Sequence, residues 1–191
     1  WIKACCFFFS IPACAARTHV NDIKPIVEAS QKLGMPIEVM AFIGSSPIRL
    51  YAEDWTADRL QQLTEDAITF AVSHGLPVMY VTEDTTRADP EMLRRLFTTA
   101  INCGASRLCI CDTVGHATPD GARAVVSFVR RLVDSTSADV RIDWHGHCDR
   151  GLGVVNSISA AAAGANRLHG TALGVGERVG NTQMDLLLVN L

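Results

Sequence analysis

Residues 140–147 read Val-Arg-Ile-Asp-Trp-His-Gly-His, an apolar run that ends in two histidines spaced two positions apart. A run of this length and composition predicts a buried β-strand over Val140–Trp144. Because side chains alternate along a strand, Asp143, His145 and His147 are expected to project from the same face. This strand is therefore predicted to present polar side chains at its carboxyl end.

Similar apolar runs recur along the chain, and a longer amphipathic stretch follows each of them. Continuous apolar runs are typical of parallel strands covered by helices, so the repeat predicts an α/β fold with right-handed crossovers. The spacing suits either an open doubly wound sheet or most of an eight-fold barrel, which takes about 250 residues. The predicted strands are Ile11–Ala16, Ile37–Phe42, Val78–Thr82, Arg107–Cys111, Val140–Trp144 and Arg167–Thr171.

Helices are predicted between these strands from apolar periodicity and end signals. The first begins at a cap formed by Asn21 or Asp22 and ends before Gly34. The second begins after Thr56 and ends before Gly75. Further helices are predicted over Pro90–Cys103, Pro119–Val133 and Val154–Ala163, with a last one beginning near Asn181.

The composition is typical of a globular protein, with 48% apolar residues and a formal net charge of −3 over 191 residues. Basic residues are scattered, which argues against nucleic acid or an anionic membrane surface as a partner. The sequence offers no apolar run that predicts a transmembrane helix. The 7 cysteines lack paired spacing, so we expect reduced thiols and a cytoplasmic protein.

Polar residues follow the predicted strands, and in parallel α/β folds the carboxyl ends of the strands form the active face. His145 and His147 can both reach one ion at roughly 2.1 Å, with Asp143 beneath them to orient a ring. The alternative is a pair of polar histidines that bind nothing. Glu83 is a candidate general base, and the Thr113 hydroxyl can donate a hydrogen bond to a substrate carboxylate.

The glycine-rich run 174–180 does not fit a dinucleotide-binding loop, because Val179 occupies the position of its third glycine. Such a run lets the backbone approach a ligand, or it forms only a tight turn. His19, His74 and His169 are interpreted as structural.

Taken together, these residues resemble the 2-isopropylmalate synthase and homocitrate synthase family, whose members carry a pyruvate carboxyltransferase domain. The resemblance implies a TIM (β/α)8 barrel, present here as a partial barrel that covers about strands three to eight. It extends from about Ala13 to the end of the chain, so residues 13–191 are expected to form one partial domain. The motifs that carry it are residues 42–48, 81–87, 112–119, 145–153 and 174–181, in that order.

A divalent metal ion is implied by the resemblance, held by His145, His147 and the asparagine that closes the last motif, Asn181. The candidate ions are Mg²⁺, Mn²⁺ and Zn²⁺, which suit imidazole and hard oxygen ligands. In the implied reaction the ion polarises the carbonyl of a 2-oxo acid, and a base removes a methyl proton from acetyl-CoA. Thioester hydrolysis then releases a 2-hydroxy diacid.

By position, Glu83 matches the family's catalytic glutamate, Thr113 a residue that binds the oxo-acid carboxylate, and Glu177 a glutamate close to substrate. We expect 3-methyl-2-oxobutanoate as the acceptor, which implies leucine biosynthesis, and a homodimer in full-length relatives. Homocitrate synthase, citramalate synthase and a metal-dependent acyl-CoA lyase or aldolase remain alternatives. The lyases carry a cysteine in the glycine loop, whereas residues 176–181 read Gly-Glu-Arg-Val-Gly-Asn.

Three departures from the family pattern affect these expectations. An Arg-Asp-Gly-x-Gln segment, which supplies an aspartate ligand in the family, occurs nowhere in the sequence. Cys148 replaces an asparagine, and Arg49 replaces a histidine found in many members. We therefore expect a barrel without its first two strands, preceded by an atypical segment at residues 1–12. An inactive truncated barrel is the alternative from another class.

Overall fold

Six strands form one parallel sheet in the computed structural model, which describes residues 11–191. Their spatial order equals their order in the chain, and at least one helix lies between each pair of neighbouring strands. Five predicted strands are confirmed, with starts that differ by at most two residues. The strands are β1 (Ala13–Arg17), β2 (Glu38–Gly44), β3 (Val78–Glu83), β4 (Arg107–Asp112), β5 (Arg141–Gly146) and β6 (Arg167–Leu168).

β6 is shorter than predicted, because the chain leaves the sheet after Leu168. Thr171, which was expected to end this strand, instead forms an isolated bridge with Gln183. Most of the segment expected to be atypical, residues 1–12, lies outside the described residues. No helix within residues 11–191 combines the length and the apolar character that crossing a bilayer requires.

The predicted helices are confirmed, with differences at three places. His19 caps the first helix through Nδ1, which accepts the Asn21 N–H at 3.2 Å. Neither Asn21 nor Asp22 is the cap, because both lie inside the first turn of the helix, where Asp22 Oδ1 accepts from Arg17 Nη2 at 3.1 Å. A short second helix was not predicted, and the last helix begins at Met184 instead of near Asn181. The helices are α1 (Val20–Leu33), α2 (Pro47–Glu53), α3 (Ala57–Ser73), α4 (Pro90–Asn102), α5 (Pro119–Asp134), α6 (Gly153–Ala162) and α7 (Met184–Asn190).

Alternation along the strands divides the buried residues into two layers. On β4, Leu108 and Ile110 pack in the main core with residues of the helices. Cys109 and Cys111 point the opposite way and form a second cluster with Met79 of β3. The helices therefore cover one face of the sheet, and the other face is the inner surface of a partial barrel.

An ion pair across the inner face shows how strongly the sheet curves. Glu38 of β2 accepts a hydrogen bond from Arg167 of β6, with Oε2 and Nη2 2.9 Å apart. In a flat sheet, strands four positions apart are separated by about 19 Å, too far for these side chains to meet. The described strands therefore curve into part of a barrel whose inner face is concave.

Candidate active site and metal centre

The concave face encloses a cavity of about 480 Å³ at the carboxyl ends of the strands. Parallel strands bring residues that are distant in sequence to this one edge. The cavity walls include residues from β3, from β5, from the loop after β4 and from the loop before α7. The structure thus brings together five of the six predicted site residues, namely Glu83, Thr113, His145, His147 and Glu177.

The two histidines face each other across a short gap. His145 Nε2 and His147 Nε2 lie 3.3 Å apart, with an interplanar angle of 77°. Two imidazole nitrogens bound to one ion at roughly 2.1 Å are about 3.0 to 3.4 Å apart, so the observed spacing suits a shared cation. His147 is 6% exposed, and its buried Nδ1 has no hydrogen-bond partner within residues 11–191.

Burial keeps these histidines neutral at pH 7. It lowers the pKa of His145 to about 4, and the nearby His169 and His147 act in the same direction. Burial also lowers the pKa of His147, with a smaller contribution from the charge of Arg178. A neutral imidazole is the form that binds metal, so both rings are in the binding form at pH 7.

Asn181, the third predicted ligand, lies beside His147 because their backbones form an antiparallel bridge. Its carbonyl accepts a hydrogen bond from Cys148 Sγ at 3.1 Å, so the cysteine that replaces the family's asparagine helps hold this loop. A Cβ atom at Gly176 would collide with the Asn181 side chain, which explains a glycine there. No cluster of three His, Cys, Asp or Glu side chains suited to a metal ion occurs within residues 11–191.

Arg178 connects three loops of the site. Its Nε and Nη2 atoms donate to the two Asp149 carboxylate oxygens at 2.8 and 2.9 Å. Nη2 also donates to the carbonyl of Thr113 at 2.7 Å. The hydrogen bond from Arg178 lowers the pKa of Asp149. The neighbouring Glu177 side chain is 80% exposed and lines the cavity, with its Oε2 3.9 Å from Arg178 Nη1.

Glu83 and Thr113 stand at neighbouring strand ends. Thr113 Oγ1 accepts the backbone N–H of Asp84 at 2.8 Å, which leaves its own hydroxyl proton available to a ligand. Glu83 Oε1 lies 3.9 Å from Arg49 Nε, on the residue that replaces the family's histidine. Glu83 also borders a second cavity of about 510 Å³, which Trp55 lines. Glu83 therefore stands where the two cavities meet.

Among the described residues Asp143 forms no hydrogen bond with His145 or His147, which corrects the prediction that it orients one of these two rings. Its Oδ2 lies 3.0 Å from Nε2 of His169, and Arg107 and Arg167 donate to its two oxygens. Burial alone would raise the pKa of Asp143, but the His169 hydrogen bond and the two arginine charges lower it overall. The parity argument placed Asp143 on the correct face, and neighbouring strands supplied its partners.

His169 also differs from its interpretation as structural, because it lines the cavity with His145. The centroids of these two rings are 5.5 Å apart. His169 lies two positions after Arg167, and this spacing on one strand face was the available sequence signal. The site thus contains a third imidazole that sequence reasoning missed.

Comparisons with known proteins identify the family of this chain. The sequence model of the HMGL-like family matches residues 1–191. The chain is 35% identical over 179 residues to 2-isopropylmalate synthase of Lactococcus lactis subsp. cremoris, covering 92% of this chain and 34% of the relative. It is 39% identical over 134 residues to a putative (R)-citramalate synthase of Methanosarcina acetivorans, and the match covers 70% of this chain and 27% of that relative. It is 33% identical over 179 residues to homocitrate synthase of Methanopyrus kandleri, and the match covers 93% of this chain and 43% of that relative.

Solved structures confirm the fold. HMG-CoA lyase of Bacillus subtilis matches with a TM-score of 0.74 at 19% identity, over 94% of this chain and 61% of that one. The N-terminal domain of a putative aldolase from Bacteroides vulgatus gives a TM-score of 0.71 at 24% identity, over 96% of this chain and 56% of that one. The chain therefore has the architecture of these proteins over part of their length, and it spans between 27% and 43% of the three curated relatives.

Proposed function

This chain belongs to the HMGL-like family, and we propose that it carries the metal-binding and catalytic residues of a 2-isopropylmalate synthase type of acyltransferase. The proposed reaction condenses acetyl-CoA with a 2-oxo acid, 3-methyl-2-oxobutanoate. The observation that carries the proposal is the approach of His145 Nε2 to His147 Nε2, 3.3 Å apart, in a cavity that Glu83 and Thr113 also line. Because the chain spans 34% of the matched synthase, the activity of the whole protein is part of the proposal.

His145, His147 and Asn181 would hold the divalent ion, which is Mg²⁺, Mn²⁺ or Zn²⁺ in this proposal. When bound, the ion supplies Lewis-acid polarisation of the oxo-acid carbonyl. Two neutral imidazoles and an amide oxygen suit these cations, and the spacing of the nitrogens supports this assignment. The aspartate ligand that the family resemblance implies has no counterpart in the sequence.

The protein's own residues would handle protons and substrate charge. Glu83 would accept the methyl proton of acetyl-CoA, since its carboxylate borders both cavities. Thr113 would donate its hydroxyl proton to the carboxylate of the 2-oxo acid, because its oxygen already accepts from Asp84. Glu177, exposed at the mouth of the cavity, would contact the bound substrate.

Bond changes balance without a redox step. The methyl carbon of acetyl-CoA forms a bond to the carbonyl carbon of the 2-oxo acid, and the oxo oxygen takes up a proton. Water then cleaves the thioester and releases coenzyme A with a 2-hydroxy diacid. The products identify the reaction as an acyl transfer in which the acyl group becomes an alkyl group.

The test follows the release of free coenzyme A thiol from acetyl-CoA with Mg²⁺ or Mn²⁺. Three acceptors are compared, 3-methyl-2-oxobutanoate, pyruvate and 2-oxoglutarate, because the curated relatives include citramalate and homocitrate synthases. We expect coenzyme A to be released fastest with 3-methyl-2-oxobutanoate, whether the assay uses this chain or a full-length relative. Glu83→Gln should lower the rate by at least 10²-fold without unfolding the protein.

Two results would overturn the proposal. One is a full-length relative that consumes no acetyl-CoA with any 2-oxo acid. The other is cleavage of a longer acyl-CoA without an acceptor, which would assign the lyase or aldolase reaction instead. We further propose a cytoplasmic location, a role in leucine biosynthesis and a homodimeric full-length protein. The pathway is tested by asking whether the cloned full-length gene lets a leucine auxotroph grow without added leucine.

A further inference from the structure

Two cysteines on the inner face of β4 have no role in the proposed reaction. Cys109 and Cys111 are 1% and 4% exposed, and their Sγ atoms lie 3.8 Å apart. Residues two apart on a strand share a face, so both thiols project to the concave side. They form a buried dithiol that lines the same cavity as the histidine pair.

Two thioethers accompany the dithiol. Met79 of β3 is buried in the same cluster, and Met40 of β2 packs against it. All four sulfur-containing side chains line the cavity of about 480 Å³, so a small ion has a path to the thiols. Thiolate and thioether ligands favour soft cations over Mg²⁺ and Mn²⁺, so this part of the cavity differs in ligand preference from the histidine end.

We propose that Cys109 and Cys111 bind a soft divalent cation of the zinc group, Zn²⁺ or Cd²⁺, at a site separate from the histidine pair. Two sulfurs bound tetrahedrally to one ion at roughly 2.3 Å lie about 3.8 Å apart, which is the spacing observed here. The side chains therefore need little rearrangement to chelate an ion. The remaining coordination positions suit a methionine thioether or water.

Charge balance also supports a divalent ion at this place. On binding, two S–H bonds break, two protons leave for solvent, and two sulfur–metal bonds form. A divalent cation with two thiolates has no net charge, so the complex adds none to the buried inner face. No oxidant or reductant takes part.

The dithiol and the histidine pair share a cavity without sharing ligands. Cys111 lies opposite His145 in the pairing of β4 with β5. Even so, no three His, Cys, Asp or Glu side chains within residues 11–191 form a common metal cluster. An ion on the dithiol would occupy the cavity floor and hinder the 2-oxo acid. That inhibition rests on the proposed function, whereas binding of the ion does not.

The experiment titrates Cd²⁺ into the reduced chain and records the thiolate-to-cadmium charge-transfer absorption in the ultraviolet. The five other cysteines are first changed to alanine, so that the dithiol is the only thiol pair. We expect saturation at one Cd²⁺ per chain, and loss of this absorption in Cys109→Ala and in Cys111→Ala. The cysteines changed in the background are Cys5, Cys6, Cys14, Cys103 and Cys148.

Absence of the absorption in a folded background variant would overturn the proposal, as would its persistence in Cys109→Ala. If that background does not fold, Cys109→Ala in the natural sequence must reduce the Cd²⁺ stoichiometry by one, and an unchanged stoichiometry overturns the site. His145→Ala with His147→Ala must leave the absorption intact, and its loss would refute the separation of the two sites. A failed acyl-transfer assay changes none of these outcomes.

Discussion

At the residue scale, the two histidines of the site differ in their surroundings. His145 is held at the end of β5 with other imidazoles on two sides, and burial lowers its pKa to about 4. His147 Nδ1 is buried without a partner among the described residues, although the ring forms part of the cavity wall. A buried polar atom left in this way costs roughly 1–3 kcal/mol.

Divalent-ion binding should depend on both rings. His145→Ala combined with His147→Ala removes both imidazole donors, so Mn²⁺ binding measured by calorimetry should disappear. His169→Ala is the matched control and should still bind Mn²⁺. This imidazole lines the same cavity, but its Nε2 contacts Asp143 at 3.0 Å. Stoichiometric Mn²⁺ in the double variant would contradict the assignment.

Acid should destabilise the metal-free chain through His145. Below about pH 6.5 the unfolded histidine takes up a proton that the folded one, with a pKa of about 4, does not. Stability therefore falls as the pH drops through this window, by roughly 2 kcal/mol between pH 7 and pH 5. Urea unfolding at the two pH values measures the change, and His145→Gln should reduce it. Equal pH dependence in both proteins would refute this origin.

At the scale of elements, loops position the site more than strands do. Arg178 holds the loop before α7 against the loops after β4 and β5, and its own backbone has a φ of 54°. Asn181 lies three residues further along the same loop and pairs with His147. The arginine is therefore a positioning residue for the third predicted ligand.

Arg178→Met should weaken Mn²⁺ binding several-fold, because the loop that carries Asn181 loses its attachment to Asp149 and Thr113. The free energy of unfolding should fall by only about 0.2–1 kcal/mol, since the ion pair is partly exposed. Calorimetry and urea unfolding separate the two effects. Arg123→Met, at an exposed position of α5, serves as the control, and equal affinities in the two variants would count against the role of Arg178.

Local patterns in the sequence predict the strands and the polar residues at their ends. Val140, Ile142 and Trp144 before His145 predict β5 because they are buried against the helices on one face of the strand. By contrast, α2 has no buried residue, so it leaves no apolar periodicity to detect. His19 is an unusual cap, because Ser, Thr, Asp and Asn are the residues usually found there. Contacts between residues far apart in the sequence, such as those of Asp143 with Arg107 and Arg167, have no local signal.

For the whole molecule, a network of charges on the inner face joins strands across the barrel. Arg107 donates to Asp143 at 2.7 Å and lies 3.4 Å from Glu38, and Arg167 binds the same two carboxylates. Both carboxylates are buried, so removing one arginine leaves charge poorly compensated.

Arg107→Met should therefore lower the free energy of unfolding by about 3 kcal/mol. Arg141→Met is a matched control in the neighbouring strand, where the arginine is exposed and the change should stay within about 0.5 kcal/mol. Urea unfolding at pH 7 measures both variants. Equal losses of stability would contradict a specific role for the buried network.

Isolated in solution, the 191-residue chain should self-associate. Within the described residues β1 and β6 each pair with a single neighbouring strand, and exposed parallel edges invite pairing with another chain. α7 adds apolar surface, with Leu188 69% and Val189 84% exposed. Light scattering after size-exclusion chromatography should show oligomers. A monodisperse monomer with a sharp thermal transition would contradict this expectation.

The pairing of Glu38 with Arg167 also has a consequence for synthesis on the ribosome. The two residues are 129 positions apart, so at roughly 5–20 residues per second the glutamate waits about 6 to 26 s for its partner. During that interval, β2 can pair with its sequence neighbours, but the inner face cannot close. The nascent chain therefore exposes its concave surface for seconds, and this is the period in which a chaperone would matter most.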